Sequence, residues 1–195
     1  MTDPRPADET TPFSPIRWEN GKLLLIDQTQ LPAREHWLTC EDPEQVADAI
    51  RRLAVRGAPA IGVAAAYGLV LGMNGATGDA EQARRRFDEV SALLGATRPT
   101  AVNLRWALEK GRAVFEEHVA RNAAEVAPAL LAWADALHAE DVRINRQIGA
   151  HGARLFAPGC RVLTHCNTGS LATAGYGTAL GIIQSAFGED RVEMV

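Results

Sequence analysis

The longest apolar run of the sequence, residues 58–73, constrains the fold most, because none of its faces is polar enough to meet water. Apart from Tyr67 and Met73, the run consists of small and aliphatic residues, among them Gly62, Gly68 and Gly72. It is short for a membrane span, which needs about 20 residues. A helix that is apolar all round is buried by its neighbours. The run therefore predicts a central helix inside a helical bundle.

Four further segments show apolar residues at helical spacing and supply the rest of this bundle. The first begins at Pro43, a favoured first position, with Asp42 as its cap. The others are predicted over residues 79–94, from Pro99 onwards, and over residues 123–156.

Strands are predicted at both ends of the helical region. Asn20-Gly21 between apolar stretches indicates a hairpin, because both central residues of a type I′ turn need positive φ. A further strand is expected near residues 36–40. After Pro158-Gly159 we expect a strand over residues 161–165, a helix over 171–187 capped by Ser170, and a strand over 191–195. This strand–helix–strand order is typical of the start of a parallel α/β sheet.

The predicted fold class is therefore α/β, with an α+β first part. We divide the chain into a flexible tail (residues 1–14), a small-sheet and helical domain (15–157) and the beginning of a parallel domain (158–195). Two strands and one helix cannot bury both faces of a parallel sheet. We expect either that the sequence is incomplete or that another element covers this sheet.

Charge and cysteine content exclude several functions. The 20 basic and 24 acidic residues give a net charge of -4, and no basic tract predicts a nucleic-acid or membrane partner. The first residues lack the apolar segment of a targeting signal. The three cysteines, Cys40, Cys160 and Cys166, form no CxxC pair, which predicts free thiols in a cytoplasmic protein. The histidines lack metal-ligand spacing, so no metal site is predicted.

Two turns combine an arginine with a predicted helix start. Arg56 is followed by Gly57, Ala58 and a proline, and Arg98 is followed by Pro99. A guanidinium beside the free N–H groups of a helix N-terminus suits a phosphate. Viewed alone, each turn also fits an ordinary helix connection with a solvated arginine.

A third candidate is Cys166, which follows the predicted strand over residues 161–165. Ligands of open α/β sheets bind at the carboxyl ends of strands. A thiol before a helix N-terminus has a lowered pKa and is reactive. The alternative is a small buried core residue. His165 is a candidate general base or a structural residue, and the burial of Asp141, near the apolar stripe of the fifth helix, is left open.

Three segments resemble one family in order and spacing: residues 55–68, residues 98–104, and residues 165–169 followed by 174–180. They are similar to the methylthioribose-1-phosphate isomerases of methionine salvage. Residues 16–27 are also similar. The resemblance implies a small-sheet and helical domain followed by a Rossmann-like domain. It also implies a homodimer that converts a phosphorylated aldose to a ketose without metal or cofactor.

The resemblance also implies roles for individual residues. Arg56, Gly57, Ala58 and Arg98 match the residues that hold the substrate phosphate and sugar, and Cys166 matches the catalytic cysteine. The family's second catalytic group is an aspartate from a later part of the Rossmann-like domain. It has no counterpart among these 195 residues, so we expect the chain alone to be inactive.

Two alternatives stay open. A ribose-1,5-bisphosphate isomerase would need a further basic cluster for its second phosphate. A non-catalytic module would resemble the regulatory subunits of translation initiation factor 2B. The presence of Cys166, Arg56 and Arg98 together favours the enzyme. This interpretation requires the two arginine-bearing turns and the thiol to converge on one pocket.

Overall fold

The computed structural model describes residues 13–75 and 79–195, so most of the predicted tail lies outside the described residues. An antiparallel sheet opens the fold, with strands in the order β1 (Ile16–Glu19), β2 (Lys22–Ile26) and β3 (Trp37–Cys40). The hairpin prediction is confirmed, because Asn20 and Gly21 adopt φ values of 52° and 77° between β1 and β2.

Five helices follow the sheet: α1 (Pro43–Arg51), α2 (Ala58–Met73), α3 (Ala80–Gly95), α4 (Val102–Val119) and α5 (Val126–Ala153), the last preceded by a 3-10 turn (Ala123–Glu125). The cap predicted for α1 is confirmed, since the Asp42 carboxylate accepts from the N–H of Gln45 at 2.8 Å. The start predicted for α4 is wrong. The Ala101 N–H donates to the Arg98 carbonyl at 2.9 Å, and this turn delays the helix until Val102.

Helix α2 is the centre of the fold, as its composition predicts. Every one of its residues from Ala60 to Met73 is buried. Gly72 lets α3 approach closely, because a Cβ there would lie 2.6 Å from a methyl of Val90. Tyr67 of α2 stacks on Trp18 of β1 with ring centroids 5.4 Å apart, and its hydroxyl donates to Asp135 of α5 at 2.8 Å. Among the described residues, no helix has the length and apolar content to cross a membrane.

The chain then forms the expected strand–helix–strand unit, with β4 (Cys160–Arg161), α6 (Ala179–Gly188) and β5 (Val192–Met194). Strands β4 and β5 are parallel, which confirms the α/β class. Two details of the prediction are wrong. Strand β4 covers only two residues, and the predicted helix over 171–187 is divided into a 3-10 turn (Ser170–Ala172), a loop and α6.

The divided helix has a physical cause in the loop before α6. Gly177 adopts φ +94°, which ends any helical path, and it pairs with Gly169 in an isolated antiparallel bridge. Ser170 therefore caps no α-helix. Instead the Thr168 hydroxyl accepts from the N–H of Leu180 at 3.2 Å, in the first turn of α6.

Two apolar clusters result. The large one surrounds α2 and extends from Ile16 to Ala174, and the small one consists of Ala153, Ile183, Ala186 and Val192. Helix α5 joins them, because its last turns pack against α6. Next to the small cluster, Leu163 is 96% exposed, in keeping with the expectation that two strands and one helix leave a sheet partly uncovered.

Candidate active site

The N-terminus of α2 is the first element of the site. Gly57 is its N-cap residue, with φ +104°, and no side chain caps the helix. The first turn also carries no acidic residue. Backbone N–H groups at such a terminus are free for a ligand, and the helix dipole favours an anion there. Arg56, whose side chain is exposed, directly precedes this turn.

The N-terminus of α4 lies beside that of α2. A Cβ at Gly62 of α2 would lie 3.1 Å from the carbonyl oxygen of Asn103, so the glycine permits this close approach. Helix α4 likewise has no side-chain cap and no acidic residue in its first turn. Arg98, which is half-buried, lies four residues before its first residue, Val102.

The other two helices of this region begin differently. Asp42 caps α1 and Asp79 caps α3, and each helix has a glutamate in its first turn. Carboxylates at those positions neutralise the positive end of the helix dipole. Helices α2 and α4 thus have uncompensated N-terminal ends, and these ends are adjacent. An arginine precedes each of these ends in the chain, and this combination suits a dianion.

Gln28 holds the loop that carries Arg56, and sequence reasoning missed it. Its buried amide accepts from the Arg56 Nε at 3.3 Å and donates to the carbonyl of Leu171 at 2.7 Å. Its backbone N–H donates to the Ala54 carbonyl at 2.9 Å. One side chain therefore links the arginine turn to the segment that follows Cys166. The available signal was a pair of polar residues, Asp27 and Gln28, directly after an apolar strand.

Asp27 anchors the same loop through Arg52. Its carboxylate accepts from the Arg52 guanidinium at 3.0 Å, from the hydroxyl and N–H of Thr29, and from Gln30. Burial opposes its charge, but the hydrogen bonds from Thr29, Arg52 and Gln30 prevail and lower the pKa of Asp27 to about 2. The carboxylate is therefore charged at neutral pH and fixes the start of the arginine turn.

Cys166 is exposed and lies in the loop after β4, with φ +72°. The buried-core alternative for this thiol is therefore wrong. Its predicted place before a helix N-terminus is also wrong, because only the 3-10 turn at residues 170–172 follows it closely. The loop is fixed by Thr168, whose carbonyl accepts from the N–H of Thr178 at 2.8 Å. All three cysteines are free thiols.

The segment beyond Cys166 touches the arginine turn. A Cβ at Gly57 would overlap the backbone of Ala172, so glycine is required for this contact as well as for its φ. The same segment is also held at Ala174. The Ala174 N–H donates to the Asp141 carboxylate at 2.7 Å, and its carbonyl accepts from the Ser14 hydroxyl at 2.7 Å. Ser14 in turn contacts the Nε2 of His138 at 3.0 Å.

Asp141, whose burial the sequence left open, is half-buried where it binds the Ala174 N–H. Burial raises the pKa of its carboxyl group, although the Ala174 N–H and the nearby His138 act in the opposite direction. The carboxyl group positions the loop through backbone hydrogen bonding. His165, in contrast, is exposed, and its role stays a prediction.

The structure brings part of the predicted site together. The N-terminus of α2 meets both the first turn of α4, through Gly62 and Asn103, and the segment after Cys166, through Gly57 and Ala172. The expectation of one shared pocket that includes the Cys166 thiol stays a prediction. The cavity next to Pro59 and Asn103 does not have Arg56, Arg98 or Cys166 among its lining residues.

Comparison with known proteins decides the family. The model of the initiation factor 2 subunit family matches residues 54–195. The chain belongs to this family.

Curated relatives that resemble the chain carry the name of an isomerase. A methylthioribose-1-phosphate isomerase of Albidiferax ferrireducens is 52% identical over 176 residues, which are 88% of this chain and 49% of the relative. One of Syntrophotalea carbinolica is 50% identical over 175 residues, 89% of this chain and 51% of the relative. The chain thus spans about half the length of these relatives.

Solved structures give the same picture. The 5-methylthioribose 1-phosphate isomerase of Pyrococcus horikoshii matches with a TM-score of 0.87 and 34% identity, over 95% of this chain and 52% of that one. The delta subunit of translation initiation factor eIF-2B from A. fulgidus matches with a TM-score of 0.83 and 39% identity, over 93% and 53%. The fold is therefore shared by proteins with both kinds of name.

Proposed function

We propose that the protein converts 5-methylthioribose 1-phosphate, an aldose phosphate, into 5-methylthioribulose 1-phosphate, a ketose. Relatives at 52% and 50% identity carry the name of this isomerase, as does a structural neighbour with a TM-score of 0.87. Since the chain spans about half of each, their names support the proposal without deciding it. The geometry of the helix ends supports it independently.

The observation that carries the proposal is the pair of adjacent, uncapped and acid-free N-termini of α2 and α4. The C1 phosphate would lie against them. Arg56 and Arg98 would bind its oxygens, and the backbone of Gly57 and Ala58 would approach it closely, since neither residue has a bulky side chain.

The chemistry requires groups that move protons. Phosphate on C1 prevents the sugar from opening as a free aldehyde. The C1–O4 bond must break as O4 gains a proton, hydrogen must move from C2 to C1, and the C2 hydroxyl must lose its proton. We assign one of these proton transfers to Cys166, an exposed thiol on the loop that adjoins the arginine turn. The family resemblance assigns the other to an aspartate that these 195 residues lack.

The proposal includes the assembly and location that the resemblance implies. We propose a homodimer in the cytoplasm that uses no metal or cofactor, with a domain boundary between residues 157 and 158. Three free thiols accord with a reducing compartment.

The test is turnover by the purified protein in a form that carries the later Rossmann-like segment with the aspartate, with ketose formation followed by NMR, because the 195 residues alone are expected to be inactive. Cys166→Ser is expected to reduce kcat by at least about 100-fold. Cys160→Ser changes a half-buried thiol of β4 and should leave kcat unchanged.

Arg56→Ala and Arg98→Ala should each raise KM by about tenfold or more, because each removes a charged hydrogen bond to phosphate. Arg121→Ala, at an exposed arginine just beyond the end of α4, is the matched control.

One other function has specific support, because the A. fulgidus neighbour is named as a translation initiation factor subunit. If the form that carries the later Rossmann-like segment leaves both 5-methylthioribose 1-phosphate and ribose 1,5-bisphosphate unchanged but binds translation initiation components, the regulatory function replaces the isomerase.

A further inference from the structure

A cavity of about 480 Å³ lies between α2, α4 and α5, next to the proposed phosphate site. Pro59, in the first turn of α2, lines it from one side. Asn103, in the first turn of α4, lines it from another. The cavity therefore begins where the two uncapped helix ends meet, and a molecule whose phosphate occupies those ends would extend into it.

The lining of this cavity is largely apolar. Aliphatic and aromatic side chains of the three helices form it: Val63, Val102, Trp106, Leu137 and Ile144. Three of them are large apolar groups that are unusually exposed, with Val102 at 66%, Trp106 at 44% and Ile144 at 41%. Apolar side chains concentrated around a concave surface gain stability when an apolar group displaces water from it.

The charged residues of the lining are Glu140 and Asp141, and no lysine or arginine is among the described lining residues. Glu140 is paired with Arg143 at 2.5 Å, and Asp141 accepts the Ala174 N–H. A phosphate in this cavity would lose its hydration and face carboxylates, which is unfavourable. An uncharged apolar group has no such hydration to lose and is not repelled by the carboxylates.

We propose that this cavity binds the methylthio group at C5 of the phosphorylated sugar and excludes a second phosphate there. This inference rests on the proposed function and makes it specific, because it separates the methylthio sugar from ribose 1,5-bisphosphate. Trp106 is the principal contact. A thioether packs well against an aromatic ring, and a ribose 1-phosphate with a C5 hydroxyl gains no such contact.

The test measures binding of three ligands to the purified protein by calorimetry: 5-methylthioribose 1-phosphate, ribose 1-phosphate and ribose 1,5-bisphosphate. We expect the methylthio sugar to bind about tenfold more tightly than ribose 1-phosphate, as burial of a methylthio group predicts. Trp106→Ala should abolish this preference and leave the affinity for ribose 1-phosphate unchanged. Phe187→Ala, at an exposed aromatic residue of α6 that does not line the cavity, should preserve it.

A second variant keeps the test informative if Trp106→Ala does not fold. Val102→Arg changes a mostly exposed position and adds the missing positive charge. It should weaken binding of the methylthio sugar by about tenfold and increase the affinity for ribose 1,5-bisphosphate relative to ribose 1-phosphate.

The outcomes distinguish the two proposals. If ribose 1-phosphate and the methylthio sugar bind equally well, the cavity assignment is wrong and the phosphate site stands. If no phosphosugar binds, the phosphate site is wrong and the cavity assignment falls with it. Self-association that Trp106→Ala abolishes, with ligand preference unchanged, would assign the cavity to a second copy of the chain and overturn the proposal.

Discussion

Two adjacent polar side chains at the end of β2 hold the turn on which the proposed phosphate site depends. Gln28 reaches Arg56, and Asp27 reaches Arg52, so the loop between α1 and α2 is fixed by groups outside it. Buried polar groups of this kind are costly unless every hydrogen-bonding atom is satisfied. The four hydrogen bonds to the Asp27 carboxylate meet that condition and explain its low pKa.

Asp27→Asn is expected to lower the free energy of unfolding at neutral pH by about 2 kcal/mol. The folded pKa of about 2 lies below the ordinary value of 3.8, so the charged carboxylate favours the folded state. Its contribution is complete above the unfolded value and is lost as the pH falls from about 4 through about 2. Urea unfolding of both proteins between pH 7 and pH 2 should show the difference shrinking in that window.

Asp48→Asn is the matched control, because Asp48 also binds Arg52 at 3.0 Å but its side chain is 61% exposed. An exposed pair contributes little, so this variant should differ from the parent by less than about 1 kcal/mol at every pH. A pH-independent loss in Asp27→Asn would mean that packing, and not charge, accounts for its effect.

At the scale of elements, local signals were sufficient wherever a helix is defined by its own cap and periodicity. Helices α1 and α3 begin at the predicted positions because Asp42 and Asp79 cap them. The starts of α4 and α6 were not predictable in this way. A turn closed by Ala101 onto Arg98 delays α4, and the distant pairing of Gly169 with Gly177 displaces α6.

In the candidate site, too, local signals identify only the residues that lie in a local sequence pattern. Arg56 and Arg98 could be proposed from sequence because each is closely followed by a proline, which is common in the first turn of a helix, although α4 begins only at Val102. Gln28 could not, because its partners Arg56 and Leu171 are 28 and 143 residues away. A residue whose role depends on such distant contacts has no local pattern, and only the fold identifies it.

Gly57→Ala should destabilise the junction of α2 with the segment after Cys166. The added Cβ would overlap the backbone of Ala172, and alanine is strained at φ +104°. Strain at such an angle costs about 1–3 kcal/mol, and the overlap adds to it, so we expect a total loss above about 3 kcal/mol in urea unfolding. Gly159→Ala provides the comparison, since Gly159 has φ +74° but no atom within 4 Å of its added Cβ. Equal losses in the two variants would show that the Ala172 contact contributes nothing.

At the scale of the whole molecule, α5 connects the large core around α2 to the small core of β4, α6 and β5. Its first part packs on α2 through Leu130 and Ala134, and its last turns contact α6 through Gly149 and Gly152. The Cys166 loop lies between these two cores in the chain. The position of the thiol relative to the arginine turn therefore depends on how firmly α5 holds α6.

Gly152→Val should loosen the small core and leave the large one intact. A Cβ at Gly152 would lie 2.6–2.8 Å from side-chain atoms of Ile182, so valine must push α6 away, at a cost of about 1–3 kcal/mol. Hydrogen exchange should then accelerate in β4, α6 and β5, while the amides of α2 and α3 exchange as before. Ala150→Val, on the exposed side of the same helix turn, adds a β-branched residue without meeting α6 and should change exchange little. Faster exchange throughout the chain in Gly152→Val would mean that the two cores unfold as one unit. If only the small core exchanges faster, the displaced α6 should lower turnover, because it shifts the Cys166 loop. Phosphate binding at α2 and α4 should then be unchanged.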